Sequence, residues 1–251
     1  MTVSVRKKHI LLLTATITPG NAPELARADP VARLHDYETS LRYYLTMIDN
    51  PLHGIVFVEN SNSDVSSLRE IADNAGLTNR VELLCNYGSF TYAEWGRAYG
   101  EFKLLDYAMK NSAMVRDAGN EALVWKVTGR YKVLNLSTMI QRVPLNLDAY
   151  VDMKDRPLRW MDMRLMAWTL IGYDRIFRGV ADVIGKDFNE RAMREHMPEN
   201  LDGVTLVRRF RNEPRIDGIR GYDNAEYSRG FNLLKFYVRS LARICVPWFW
   251  I

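Results

Sequence analysis

The stretch VWKVTGRYKV, residues 124–133, decides which architecture we expect. Its apolar start is typical of a strand that is buried on both faces in a parallel sheet. Lys126, Thr128 and Arg130 then occupy alternate positions around Gly129, and alternate residues of a strand point to the same face. Because ligands of open parallel sheets bind at the carboxyl ends of the strands, we predict a binding site where this strand ends.

The polar side chains of this stretch suit a diphosphate group. Arg130 offers a planar fork to phosphate oxygens, and Lys126 supplies a point charge. Gly129 would let the backbone approach a ligand closely. The alternative is a strand edge at which solvated cations flank a turn, and the spacing alone leaves both interpretations open.

Apolar runs and amphipathic segments alternate along the first half of the chain. HILLLTATI (9–17) is typical of a buried strand, and the apolar residues of LHDYETSLRYYLTMI (34–48) recur every three or four positions, as in an amphipathic helix. This alternation predicts an α/β protein with a doubly wound, mainly parallel sheet. Further strands are predicted within 54–64 and 80–86, and further helices within 66–76 and 101–112.

The second half of the chain is less regular. DAYVDM (148–153) is predicted to be a strand, and residues 161–177 are predicted to be at least partly helical. Residues 187–200 are predicted to be a helix that begins at Asp187, because Glu190 follows three residues later in the pattern of a capping box.

The tail, residues 228–251, contains no acidic residue and combines a basic pattern with an apolar one. Such a segment is typical of an amphipathic helix that lies in a membrane interface. The alternative is an ordinary packed helix with solvated cations. The residues expected to contact the membrane are Lys235, Arg239, Arg243, Trp248 and Trp250.

Composition places the chain among ordinary globular proteins with a mild excess of positive charge. Of its 251 residues 25% are charged, and the formal net charge of +4 favours anionic partners. Cys85 and Cys245 lie far apart and fit no metal-ligand spacing, so we expect reduced thiols in the cytoplasm. The apolar run near the N-terminus lacks the cleavage site of a signal peptide, and no run is long enough to span a bilayer.

Polar or glycine-rich loops follow the predicted strands. Glu59 or Asn60 would suit a base or ribose, although the residues of this loop are also ordinary turn formers. Gly88, Gly96 and Gly100 lie in an aromatic loop that matches neither the G-x-G-x-x-G nor the P-loop lysine pattern. No H-E-x-x-H is present, and the lack of G-x-S-x-G leaves serine hydrolase chemistry unsupported.

Six segments in this order resemble a family of bacterial glycosyltransferases of capsule and lipopolysaccharide O-antigen biosynthesis, which are similar to the GT-A class. The resemblance covers about residues 8–220, and KVTGRY after the YGE and LLDYA pattern is its most specific part. The segments are ILLLTATITP (10–19), D-x-x-x-R-L-x-x-Y (29–37), IVFVENS (55–61), YGEFKLLDYAM (99–109), WKVTGRY (125–131) and MDMR (161–164).

The resemblance implies that residues 1–147 hold a nucleotide-sugar donor. Its threonines after the first strand would lie by the nucleotide, and the ENS segment would lie by the base or ribose. The KVTGR segment would stand where GT-A enzymes usually carry Asp-x-Asp. From nucleotide to diphosphate, the implied donor residues are Thr14, Thr16, Pro19, Glu59, Asn60, Gly100, Glu101, Lys126, Thr128, Gly129 and Arg130.

The resemblance also implies that residues 148–227 hold a glycan acceptor, which we expect to be lipid-linked. Asp152 and Arg164 are predicted on the acceptor side. If the transfer inverts the anomeric centre, one carboxylate deprotonates the acceptor hydroxyl. Asp162 is the predicted base and Glu195 the second choice. The tail would hold the enzyme, peripherally, at the inner face of the cytoplasmic membrane.

The chain departs from the GT-A pattern at the metal site, since no Asp-x-Asp follows the fourth predicted strand. Lys126 and Arg130 stand there instead and could neutralise the leaving diphosphate directly. We therefore predict no metal ligands, while a divalent metal cofactor stays an open alternative.

Two other functions remain compatible with the sequence. A sugar nucleotidyltransferase shares a parallel nucleotide-binding sheet, but TPGNAPE (18–24) is poor in the Gly, Arg and Lys expected after its first strand. A non-catalytic basic module on membrane or nucleic acid would not need polar loops at the strand ends. The expected partners are a nucleotide sugar, a glycan acceptor and an anionic membrane surface, with no nucleic acid.

Overall fold

The computed structural model describes residues 8–20, 25–86, 95–120 and 122–251 of the chain. A seven-stranded sheet lies at its centre, and two short strands pair beside it. The strands are β1 (His9–Ala15), β2 (Gly54–Glu59), β3 (Val81–Cys85), β4 (Leu123–Thr128), β5 (Lys132–Val133), β6 (Ala149–Lys154), β7 (Trp160–Trp168), β8 (Leu206–Val207) and β9 (Ile216–Asp217).

The large sheet has the strand order β3-β2-β1-β4-β7-β6-β8. β1 pairs in parallel with β2 and β4, and β2 pairs in parallel with β3. β7 runs antiparallel between β4 and β6, while β8 is parallel to β6. The prediction of an α/β protein with a mostly parallel central sheet is therefore confirmed, and both halves of the chain contribute to that sheet.

Helices lie between and after the strands. Asp29 caps the first helix by accepting a hydrogen bond from the Val31 N–H, and Pro30 occupies the first helical position. Within the described ranges, no helix combines the length and apolar character needed to cross a bilayer. The helices are α1 (Pro30–Leu45), α2 (Ser66–Asn74), α3 (Arg97–Asn111), α4 (Ala113–Ala118), α5 (Leu136–Gln141), α6 (Leu170–Gly172), α7 (Val180–Ile184), α8 (Glu190–His196) and α9 (Gly230–Cys245).

The core consists of two apolar layers, one on each face of the sheet. Leu11 and Leu13 of β1 pack in the layer that holds α1 and α2, while Ile10 and Leu12 pack in the layer that holds α3. Because successive strand residues point to opposite faces, a strand covered on both sides is apolar at every position. This explains the unbroken apolar run at the start of the chain.

Two predicted helices differ from the structure. Residues 161–177 are predicted to be at least partly helical, and short helical turns do lie at Leu170–Gly172 and Tyr173–Phe177, but Trp160–Trp168 forms β7, a strand inside the sheet. Met, Leu and Ala favour helices, and burial of both faces of β7 hides the alternation of a strand. The helix predicted at 187–200 spans only Glu190–His196, and Asn189 rather than Asp187 caps it.

Candidate functional site

A cleft of about 800 Å³ opens at the carboxyl ends of β1, β2 and β4. This is the edge at which parallel sheets bind ligands. Residues of the first half line it together with β7, the segment 213–222 and one face of α9. Twelve of the predicted site residues line this cleft, while Glu59, Lys126, Gly129, Asp152, Glu195, Arg243 and the two tail tryptophans do not.

Glu101, on α3, lies at the base of the cleft. Its carboxylate accepts hydrogen bonds from the Thr14 and Thr128 hydroxyls at 2.8 and 3.3 Å. Lys126 Nζ forms an ion pair with the same oxygen at 2.7 Å. The four residues come from three chain segments, so the cluster fixes α3 against the ends of β1 and β4.

Lys126 does not reach the cleft, contrary to the prediction that it contacts a diphosphate. Its side chain is 0% exposed, and its ammonium group also donates to the Met163 carbonyl oxygen. Burying an ammonium group is costly unless it is paired and hydrogen-bonded. Lys126 therefore fixes the position of the Glu101 carboxylate without lining the cleft itself.

Gly129 is required by the backbone rather than by a ligand. Its N–H donates to the Thr14 carbonyl oxygen at 2.8 Å. A Cβ atom at this position would stand 2.7 Å from that same oxygen. The close approach of β1 and β4 at their carboxyl ends thus depends on the missing side chain.

Arg130 lines the cleft, and neighbouring residues hold its guanidinium in place. Its guanidinium donates to the Ile219 carbonyl oxygen and to the Tyr131 hydroxyl, each at 2.8 Å. The side chain also passes close to Gly221, where a Cβ would be 2.7 Å from Arg130 Nη2. Arg130 is therefore positioned as a fixed cation at the edge of the cleft.

The loops after β1 and β2 meet at the predicted nucleotide end. Thr16 and Asn60 both line the cleft and share a hydrogen bond of 2.7 Å between Oγ1 and Oδ1. Glu59, predicted to contact the base or ribose, is fully buried. Its carboxylate accepts from the Ile17 N–H at 3.1 Å and from the Ser61 N–H at 2.8 Å, so it organises the two loops instead.

Glycines and Pro19 complete this end of the cleft. Pro19 and Gly100 line it, as does Gly96, which precedes α3 with φ of 87°. The remainder of the TPGNAP loop, residues 21–24, and most of the aromatic glycine loop, residues 87–94 with Gly88, lie outside the described residues.

Asp162 and Arg164, on β7, form an ion pair and both line the cleft. Arg164 Nε donates to Asp162 Oδ1 at 2.8 Å, and the Arg164 guanidinium stacks over the Tyr227 ring at 4.8 Å. Burial alone would raise the pKa of Asp162, but the charge and hydrogen bonds of Arg164 outweigh burial and lower it to about 2. A general base works best with a pKa near the working pH, so Asp162 is poorly suited to that predicted role.

The α8 helix brings a different carboxylate to the cleft. Glu190, its first residue, and Glu195 are both exposed, but only Glu190 lines the cleft. Within the described ranges Glu190 has no ion pair, in contrast to Glu101, Asp162 and the buried Glu213. In the sequence, Glu190 stands out only as the third residue after Asp187 in the predicted capping box, a pattern that indicates a helix start and not a catalytic role.

Asp152 is not on the acceptor side, because it is fully buried under α9. It forms ion pairs with Lys154 at 2.6 Å and with Arg243 at 2.7 Å. Glu213 joins the same cluster through Lys154 at 3.2 Å and through Arg243. Burial would raise the pKa of Asp152, but the two cations outweigh it and hold that pKa below its usual value.

The basic side chains of α9 differ in exposure, since Lys235 is exposed with its Nζ 4.6 Å from the centre of the Phe231 ring, while Arg239 is half-buried. Lys235 and Arg239 line the cleft, and the Arg243 side chain is 4% exposed within the buried cluster. The prediction that these three cations meet a membrane is therefore wrong for Arg243, which binds two carboxylates instead. Trp250 packs partly against the core, and its carbonyl oxygen accepts from the Asp155 and Arg156 N–H groups at 2.9 Å.

The opposite face of α9 is apolar and faces solvent. Trp248, just beyond the helix, is 76% exposed. Soluble helices normally bury their apolar stripe, so this arrangement reverses the usual order. The exposed apolar residues of this outer face are Phe231, Leu234, Tyr237, Val238, Leu241 and Ile244.

The donor side does not fit a divalent metal of the GT-A type. The sequence resemblance implies that Lys126 and Thr128 stand where those enzymes carry Asp-x-Asp. The nearby Glu101 carboxylate already binds Lys126 and two hydroxyls. Across the described part of the chain, no group of three or more His, Cys, Asp or Glu side chains is placed to hold a metal ion.

Comparison with known proteins gives similarity only at the level of solved structures. No family model matches the sequence. No curated protein matches it either. At similarity this low, function has to be argued from the cleft itself.

Three of the similar solved structures show how low the similarity is. A protein assigned as a nucleotide-diphospho-sugar transferase from Desulfovibrio desulfuricans G20 has a TM-score of 0.47 at 12% identity, covering 80% of this chain and 79% of its own. A cytidylyltransferase from Leptospira borgpetersenii has a TM-score of 0.40 at 12% identity, covering 98% and 89%. The M. tuberculosis glucosyl-3-phosphoglycerate synthase has a TM-score of 0.41 at 12% identity, covering 95% and 81%.

Proposed function

We propose that the protein is a glycosyltransferase that moves a sugar from a nucleotide-sugar donor to a glycan acceptor. The observation that supports this most is the charge of the cleft. Among the described residues, eight Arg or Lys line it against four Asp or Glu. A cleft with this excess of cations suits a substrate that carries a diphosphate, as every such donor does.

The donor fits the end of the cleft formed by the loops after β1 and β2. Thr16 and Asn60 offer hydroxyl and amide groups to the base or ribose. The diphosphate then falls near the start of α3, where Gly96 has no side chain to cap the first N–H groups and Arg97 lines the cleft. Helix N-termini bind phosphate through such N–H groups.

The transfer places negative charge on the leaving diphosphate and releases a proton from the acceptor hydroxyl. The bond between the anomeric carbon and the diphosphate breaks, and its electron pair leaves with the nucleoside diphosphate. The acceptor oxygen forms the new bond to that carbon and gives up its proton. Arg97 and Arg130 are the cations that would offset the charge developing on the leaving group.

Glu190 is the residue we assign as the base of an inverting transfer. It lines the same cleft and, in the described part of the chain, no cation neutralises it. Asp162 is tied to Arg164, with a pKa lowered to about 2. Asp162 is better suited to hold Arg164 in place on the acceptor side.

The outer face of α9 supports association with a lipid surface. An exposed stripe of large apolar residues with tryptophan beside it is typical of helices that lie in the membrane interface. Attachment here would be driven by apolar contact, because the cations predicted to bind anionic lipid line the cleft or lie buried. The placement of the enzyme in surface polysaccharide synthesis at the cytoplasmic membrane is implied by the sequence resemblance alone.

A nucleotide panel tests the proposal. The melting temperature of the purified protein would be measured with UDP, GDP, CDP, TDP and their sugar conjugates, with and without EDTA. A bound ligand raises the melting temperature by mass action. We expect one nucleotide series to stabilise the protein and the shift to survive EDTA.

The products then separate the remaining functions. Release of a nucleoside diphosphate from the stabilising sugar nucleotide supports a glycosyltransferase. Release of pyrophosphate from a nucleoside triphosphate and a sugar phosphate would make the protein a nucleotidyltransferase. Absence of any nucleotide effect would overturn both enzymatic assignments in favour of a binding module.

A further inference from the structure

A second cavity, of about 530 Å³, lies at the opposite edge of the sheet from the cleft. Residues at the starts of β1, β2 and β3 line it, together with residues of α2 and α4. No described residue lines both cavities. Because β1 is seven residues long and a parallel strand rises about 3.3 Å per residue, the two cavities lie about 20 Å apart. A ligand in the second cavity would therefore not contact the cleft.

Cationic side chains line this second cavity from three parts of the chain. Lys8 precedes β1, Arg69 lies on α2, and Arg80 precedes β3. His53, just before β2, also lines the cavity. Partial burial lowers the pKa of His53, and the charges of Arg80 and Lys8 lower it further, against a smaller opposite effect of Asp49. The positive charges thus outweigh the negative one at His53.

The carboxylates that line the second cavity leave these cations unpaired. Glu82 accepts hydrogen bonds from one hydroxyl and two N–H groups at the start of α4, at 2.6–3.1 Å. The other lining carboxylate, among the described residues, is the exposed Asp117. In the same part of the chain neither Lys8 nor Arg69 has a carboxylate within ion-pair distance, and both are exposed. Two cations are therefore available to an anion.

Arg80 adds an unsatisfied donor to the second cavity. Its Nη2 pairs with Asp49, but its Nε is buried and has no hydrogen-bond partner within the described residues. A buried donor without a partner is costly, and few remain so in native proteins. A guanidinium presents its N–H groups as a planar fork that matches phosphate oxygens. A bound phosphate would supply the acceptor that this nitrogen lacks.

We propose that the second cavity binds a small organic phosphate, with Lys8, Arg69 and Arg80 contacting its phosphate group. A volume of about 530 Å³ lies within the usual range for sites of small molecules. The apolar side chains of Leu83 and Met114 also line the cavity, and they suit the part of the ligand that carries no charge. This binding site goes beyond the proposed function and does not depend on it.

The ring protons of His53 offer a local measurement of binding. The chain has four histidines, so nuclear magnetic resonance can follow each of them, and His53→Gln identifies the signal. Ribose 5-phosphate and inorganic phosphate are titrated into the native protein. We expect both to shift the His53 signal to saturation, with tighter binding of ribose 5-phosphate. The pKa of His53 should rise on binding, because the anion offsets the charges of Arg80 and Lys8.

Variants that remove one charge each test which cations bind the phosphate. Lys8→Gln and Arg69→Gln should each weaken the binding measured at His53 by about tenfold. Arg116→Gln is the control on α4, since this residue is exposed and does not line the cavity. Arg97→Gln is the control in the cleft. Both controls should leave the binding measured at His53 unchanged.

Each contrary result overturns a defined part of this proposal. If neither probe shifts the His53 signal to saturation, the cavity is not a phosphate site. Equal affinity for the two probes overturns the organic part of the ligand. Binding that Lys8→Gln and Arg69→Gln leave unchanged overturns the assigned contacts. None of these results bears on the proposed function, which depends on nucleotide binding in the cleft.

Discussion

Lys126 and Glu101 form an ion pair of 2.7 Å in which the lysine is fully buried and the carboxylate faces the cleft. The strand residue thus acts on the cleft through a helix residue. The sequence predicts that Lys126 and Arg130 both contact a diphosphate. In the structure Lys126 instead pairs with the carboxylate of Glu101.

Removing the buried partner of this pair should destabilise the protein. Lys126→Ala leaves Glu101 without its cation. Breaking a buried ion pair costs about 3–5 kcal/mol, and we expect the low end, about 3 kcal/mol, because Glu101 is partly exposed. Arg159→Ala, which loses an exposed pair with Asp155, should cost less than about 1 kcal/mol. Urea unfolding of both variants measures the difference, and equal midpoints would show that the pair contributes nothing.

Asp162 should stabilise the fold in a defined acid range. Its pKa in the folded protein is lowered from 3.8 to about 2, so its contribution is present above 3.8 and is lost as the pH falls through about 2. The shift corresponds to about 2 kcal/mol. Urea midpoints of the native protein and Asp162→Asn should therefore differ at neutral pH and converge as the pH approaches 2. A difference that stays constant with pH would rule out this account.

Glu190 and Glu195 offer a matched pair on one helix. We expect Glu190→Gln to lower turnover by about 10²- to 10⁴-fold, with little change in KM for the donor, because the base acts in the transition state. Glu195→Gln should be near normal, since its side chain is exposed and does not line the cleft. Near-normal turnover of Glu190→Gln, or loss of turnover in Glu195→Gln, would remove Glu190 from the role of base.

The outer face of α9 should bind lipid through apolar contact. Leu241→Asp should weaken binding to phosphatidylcholine vesicles by about tenfold or more, because a leucine side chain contributes about 1.5–3 kcal/mol on burial. Leu241 is 61% exposed, and Leu145→Asp is the control because Leu145 is 80% exposed outside α9. Binding of the native protein should persist at high salt. If the native protein instead sediments as a dimer that Leu241→Asp dissociates, the face covers a second copy and not a membrane.

Arg243 should be essential for stability although it was expected at the membrane. Arg243→Met leaves Asp152 with Lys154 and leaves Glu213 with Lys154 and the more distant Arg239, and we expect a loss of about 3–5 kcal/mol. Arg229→Met, which removes an exposed pair with Glu226, should cost less than about 1 kcal/mol. Thermal unfolding compares the two. For the same reason, deletion of 231–251 would remove the arginine partner of Asp152 and destabilise the fold, so it is a poor test of membrane binding.

Local patterns predicted the parts of the fold that depend on neighbours along the chain. The continuous apolar runs at β1, β2 and β4 and the periodic pattern of α1 identified the parallel sheet and its covering helices. β7 was missed because a strand buried on both faces has the apolar content of a helix.

The site was less predictable, because its contacts join distant segments. Glu101 and Lys126 become neighbours only when α3 packs on the sheet, and no spacing in the sequence predicts that contact. The three cations of the tail follow a four-residue repeat that fits a membrane face and a buried face equally well. The position of Asp152 and Glu213 decides between them for Arg243.

The late position of α9 in the chain constrains the order in which the protein can form during synthesis. The strands β1 to β4 and their helices are made first, because synthesis proceeds from the N-terminus. Asp152, however, has no arginine partner until residue 243 has left the ribosome. Until then β6 carries a carboxylate for which only Lys154 compensates, and the cleft lacks one wall. Under the proposed function, the acceptor side of the cleft would therefore be completed only when α9 has formed.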